Sequence, residues 1–223
     1  MPRRGRGRSQ EIRRRAPQRE PRRRVLIVCE GRATEGGYFK DLRSEFRNRL
    51  VDIEVDDRGA VPKTLVERAA ARKKEADREA RRRRDDFLRY DEVWCVFDVD
   101  VHPNLPDARQ QARANGIELA ISNPCFELWA LLHFQDQTSH LERRDARSRL
   151  KRHLPDYEKA LPFDRLNPGY SEAVTRAHEL DRRCETDGEP GRNPSTGVHR
   201  LTEQIRRGGK TEQIAETRRE SQQ

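Results

Sequence analysis

Apolar positions fall in two kinds of run along this chain. Val25-Leu26-Ile27-Val28-Cys29 and Val93-Trp94-Cys95-Val96-Phe97 are unbroken, and an acidic residue follows each at once. Successive strand side chains point to opposite faces, so an unbroken run predicts a strand covered on both sides. Val51-Asp52-Ile53-Glu54-Val55 alternates instead, predicting a strand with one wet face. Ile117–Ile121 supplies a fourth. Between the strands the period lengthens. Tyr38, Phe39, Leu42, Phe46 and Leu50 recur at helical spacing within Thr34–Leu50. Pro62 opens a long charge-rich helix to about Arg89, with Leu65, Ala69, Ala76, Ala80 and Phe87 as its apolar stripe. A shorter helix over Pro106–Asn115 closes on Asn115-Gly116, residues suited to a left-handed cap. Beyond Pro124 the segments 125–134, 141–152, 171–186 and 195–206 all read as helices. Alternating strands and helices predict an α/β fold, a parallel sheet flanked by helices with a helical C-terminal half.

Composition sharpens the boundaries. Charged residues make up 39% of the 223, and the net charge is +9. Residues 1–24 hold eleven arginines against two glutamates, while the remainder balances 37 basic with 37 acidic residues. The chain therefore divides into a disordered basic tail (1–24), one domain (25–206) and a flexible polar C-terminal tail (207–223). A basic tail offers nucleic acid a non-specific, salt-sensitive attraction. No apolar run approaches the roughly 18 residues a membrane span needs, and Val25–Cys29 is too short for a secretory core. Cys29, Cys95, Cys125 and Cys184 form no CxxC pair, so zinc is not indicated and a reducing cytoplasm is the simple reading.

The strand-end carboxylates carry the chemistry. Glu30 follows the first apolar run; Asp98 and Asp100 follow the second, and alternation points both aspartates the same way. In a parallel sheet these ends share one edge, where ligands bind. Converging carboxylates repel unless a cation lies between them, and an oxygen-only donor set suits Mg²⁺ or Mn²⁺.

The order and wording of these segments resemble the Toprim catalytic domain, and more closely its RloB-like branch. The matching pieces are Val25–Gly31 with Thr34-Glu35 and Tyr38-Phe39, Val93–Asp100 with His102, and Ile121-Ser122-Asn123-Pro124-Cys125-Phe126-Glu127-Leu128-Trp129. Tyr157-Glu158-Lys159 and Asn193-Pro194-Ser195-Thr196 before Val198-His199 match more faintly. The resemblance implies a Toprim-like fold and a metal-dependent nuclease-like effector in anti-phage defence or abortive infection. A separately encoded ATPase would be its partner, and DNA or RNA its substrate. It assigns Glu30 as general base or acid or as a further metal ligand, and Asp98 with Asp100 as metal ligands, joined by Glu35; Glu127 and Lys159 complete the catalytic set.

Each assignment has a plainer counterpart. Glu35 could simply favour the positive end of its helix. Glu127, inside an apolar helix, could be a salt-bridged core residue. Asn123 could face substrate or cap the helix after it. Ser195 and Thr196 could hold a phosphate on free backbone N–H groups or cap their helix. His102 could touch substrate or lie in solvent, and Lys159 could be an ordinary surface lysine. Arg81–Arg84 reads as a solvated face, paired with Glu79, Asp85 and Asp86. The rival functions are a non-catalytic subunit keeping the Toprim shape, and a nucleic-acid-binding module using the tail.

Overall fold

The computed structural model describes residues 23–31, 33–47, 51–55, 61–99 and 105–207. Asp100, His102, Leu50, and nearly all of both predicted tails lie outside these residues. Element order is β1 (Val25–Cys29), α1 (Glu35–Glu45), β2 (Val51–Val55), α2 (Pro62–Arg83), β3 (Glu92–Asp98), α3 (Leu105–Asn115) and β4 (Glu118–Asn123). There follow α4 (Glu127–Leu132), α5 (Arg143–His153), α6 (Phe163–Leu166), α7 (Tyr170–Thr186), β5 (Ser195–Thr196) and α8 (Val198–Arg207).

The sheet order is β2-β1-β3-β4-β5; the first four strands run parallel and β5 antiparallel. The two unbroken apolar runs, β1 and β3, are neighbours, with helices on both faces. Ile27, Cys29, Trp94 and Val96 pack against α1, α4, α5, α7 and α8 on one face. Leu26, Val28, Val93, Cys95 and Phe97 meet α2 and α3 on the other. The alternating strand β2 sits at the edge, with Val51 buried and Asp52 reachable by Arg24 at 2.8 Å.

Four details depart from the sequence reading. Segment 195–206 is not one helix: Ser195 and Thr196 pair with Asn123 and Ser122 before α8 begins. The long helix stops at Arg83, where Arg84 turns left-handed at φ 55°, so Phe87 leaves the apolar stripe and stands 83% exposed. Arg23 and Arg24, placed in the tail, are tied to the domain. Arg23 pairs with Glu92 at 2.8 Å, and the Arg24 guanidinium lies 4.3 Å over the Tyr90 ring. Asn123 caps no helix, because α4 starts after Phe126 without a side-chain cap. The expected close of α3 through Gly116 holds, at φ 58°. Trp94 and Trp129 are core residues. All four cysteines are buried and free.

Candidate functional site

The carboxyl ends of β1 and β3 meet three helix starts. Glu35 is the first residue of α1, Glu127 of α4 and Arg143 of α5. Acidic residues at helix N-termini meet the positive end of the helix dipole, which helps explain why α1 and α4 begin with them. Glu30, Glu35, Asp98 and Glu127 form one electrostatic group. Burial comes first in raising Glu35, to about 7, with the Glu127 and Glu30 charges adding to it against its own backbone hydrogen bond and Arg143. Burial likewise pushes Asp98 well above the usual carboxylate range; Glu35, Glu127 and Glu30 push the same way and Arg143 opposes. Burial also works to raise Glu127, but hydrogen bonds from Cys125 and Arg147 outweigh it and hold that carboxyl below its ordinary value.

Asp98 Oδ2 pairs with Arg143 at 3.2 Å, whereas its Oδ1 is buried and accepts no hydrogen bond among the described residues. Glu127 Oε1 accepts from Arg147 Nε at 2.7 Å and from the Tyr157 hydroxyl at 3.1 Å. Gly31 lets the Glu35 carboxylate lie against the backbone. A Cβ at position 31 would stand 1.9 Å from Glu35 Oε2. The glycine after the first strand therefore serves close approach as well as a turn.

The remaining predicted residues that the structure describes separate from this group. Ser122 is the register partner of Asp98, and Thr196 lies one strand further, about 10 Å from Asp98 at the usual strand spacing. The Thr196 hydroxyl meets the Ser122 hydroxyl at 2.9 Å and accepts weakly from Val198 N at 3.4 Å. Ser195 is buried and lines a separate cleft of about 200 Å³ with Arg109, Asp181 and Arg200. Asn123 Nδ2 donates to Gly191 O at 2.9 Å, turning toward the loop before β5. Lys159 is exposed; two residues before it, Tyr157 is the side chain that reaches Glu127.

Arg143, Arg147, Tyr157 and Cys125 are thus site residues that the sequence reading did not assign. The RloB-like protein family matches residues 25–205. The chain belongs to that family. No curated protein and no solved structure matches it. In this RloB-like chain the match begins at β1 and ends within α8, so every described strand and every residue of the carboxylate group lies inside it.

The carboxylates of the RloB-like site offer only oxygen donors. Its orphaned Asp98 Oδ1 and its mutually repelling carboxylates are what a hard divalent cation would relieve. Among the described residues no three acidic, histidine or cysteine groups are gathered closely enough to hold one ion. Arg143 meanwhile supplies a positive charge at Asp98. No described helix is long and apolar enough to cross a membrane.

Proposed function

We propose that this RloB-like protein hydrolyses phosphodiester bonds with Mg²⁺ or Mn²⁺, as the effector of an anti-phage system paired with a separately encoded ATPase. The observation that carries the reading is Asp98: a buried strand-end carboxylate with one oxygen unbonded among the described residues, in a group with three glutamates. Asp98, with Asp100 and Glu35, would hold the cation. When bound, a divalent cation at such a site neutralises phosphate charge and lowers the pKa of a bound water. Glu30, partly exposed at the edge, would take or give the proton. Arg147 and Tyr157 fix Glu127 as an ionised carboxylate. The Toprim resemblance of Val25–Gly31 and Val93–Asp100 supports the same roles.

Purified wild-type protein should cleave labelled DNA or RNA only when Mg²⁺ or Mn²⁺ is added. Asp98→Asn should lower that rate roughly a hundredfold or more while leaving the circular-dichroism spectrum unchanged. Equal cleavage by the variant would remove Asp98 from the mechanism. Arg143 favours a second reading, a non-catalytic subunit in which the guanidinium permanently occupies the cation's place. Co-purification with an ATPase and no cleavage under any metal would select it.

A further inference from the structure

Helix α5 is the most one-sided charged element described. Its eleven residues hold six Arg or Lys and a single acid, Asp145. Ala146 and Leu150 bury one face against the core. Arg143 and Arg147 reach sideways to Asp98 and Glu127. Arg149 is occupied by Gln137 at 2.5 Å. What remains outward is Arg144, Ser148, Lys151 and Arg152, all exposed, and the three cations make no ion pair among the described residues. Arg144 and Lys151 are two helical turns apart, about 10 Å along the axis, with Ser148 between them. At the C-terminal end of the helix the exposed Arg165 donates to His153 O at 2.9 Å and adds a further positive charge.

We propose that the outer face of α5 is a track for a nucleic-acid phosphate backbone, leading it to the carboxylate edge. The inference rests on the phosphodiester reading for its destination, but the docking itself stands on charge complementarity. A row of unneutralised cations spaced over two turns suits a repeating polyanion rather than a single phosphomonoester. The first residue of the same helix, Arg143, touches Asp98, so a strand following the outer face arrives beside the acidic group. Cations on the approach also offset the repulsion that four carboxylates would exert on an incoming phosphate.

The test is fluorescence anisotropy of the full chain with labelled single-stranded DNA, duplex DNA and RNA of equal length, in EDTA so that no turnover occurs. The α5 triple variant Arg144→Glu, Lys151→Glu, Arg152→Glu is compared with an α2 triple, Lys63→Glu, Lys74→Glu, Arg81→Glu. All six positions are exposed, and both triples change the net charge equally. The α5 triple should bind at least about tenfold more weakly than the α2 triple, and its slope of log affinity against log salt should flatten by about 2. If either triple melts early, the corresponding glutamine variants replace it. Equal affinities for both triples would assign binding to the arginine-rich tail and overturn the proposal, as would no binding by wild type. Preferential loss of binding on α5 without any metal-dependent cleavage by wild type would keep the track and discard the hydrolytic reading.

Discussion

Two arginine-rich helices on opposite faces of the sheet use the same side chain for different ends. On α2, counter-charges lie on the same helix or on the neighbouring edge strand. Glu79 takes both Arg82 and Arg83, and Arg72 is shared between Glu54 and Glu75. Those arginines satisfy one another's surroundings in water and point nowhere else. On α5 one aspartate stands among six cations, so Arg143 and Arg147 find their partners across a tertiary contact, at Asp98 and Glu127. The lesson is that the number of arginines says little. What matters is whether acid stands within reach along the same helix or the neighbouring strand: α2 sets four acids among nine cations and borrows Glu54, whereas α5 has one among six. Where it does not, the surplus organises a buried acidic group or faces outward for a ligand.

The comparison can be broken most strongly from the acidic side. Burial holds Glu35 near 7 against an unfolded value of 4.5. A raised carboxylate binds its proton more tightly when folded, so its contribution to stability is present below the unfolded value and is lost as pH rises through 4.5 to about 7. Glu35→Gln should therefore remove about 2.5 kcal/mol of the decline in stability between pH 5 and pH 8, measured by urea unfolding in metal-free buffer. An unchanged pH profile would mean that α5 already neutralises the group.

Next comes the loss of a tertiary arginine. Arg147→Ala leaves Glu127, only 5% exposed, with Tyr157 as its remaining hydroxyl donor, and should cost about 2 kcal/mol in the same assay. The half-exposed arginine lets water replace part of what is removed, which keeps the loss below that of a fully buried pair. The smallest effect belongs to α2. Arg83→Ala should move the melting temperature by less than about 1 °C, since Arg82 remains on Glu79 and the pair lies in water. If Arg83→Ala proved as costly as Arg147→Ala, the distinction between the two helices would fall.

The sheet was legible wherever one strand's own residues declared it. β1 and β3 carry apolar side chains on both faces because helices cover both, and β2 alternates because it is an edge. β5 was not legible. Ser195 and Thr196 carry no period, and they are a strand only because Asn123 and Ser122, over seventy residues earlier, present a free edge. Phe87 was misplaced for a local reason. The apolar spacing extends past Arg83, but Arg84 breaks the helix and a short 3₁₀ turn at Asp86–Leu88 swings the ring outward. At the site, Glu30, Glu35, Asp98 and Glu127 could be read from strand ends and motif wording. Arg143 and Arg147 could not, since a basic run resembles a solvated face until its neighbours in space are known. The one available signal was the shortage of acid within α5. Tyr157 lay in a faint motif where the lysine two places on was preferred; the hydroxyl, with its apolar ring, suits a buried carboxylate better than a surface amine does.

The four thiols give the molecule a set of internal clocks. Cys29 and Cys95 lie in neighbouring central strands, Cys125 just ahead of α4 beside the acidic group, and Cys184 near the end of α7, all of them buried. A water-soluble alkylating reagent reaches each sulfur only when its own region opens, so four modification rates in one reaction would report four separate opening free energies. Burial raises the Cys95 thiol to about 12 and pushes Cys29 and Cys125 upward as well, so none of these three reacts while the fold is closed. Cys125 would then time the breathing of the carboxylate edge, and Cys29 with Cys95 that of the central sheet, with no label or probe added to the chain.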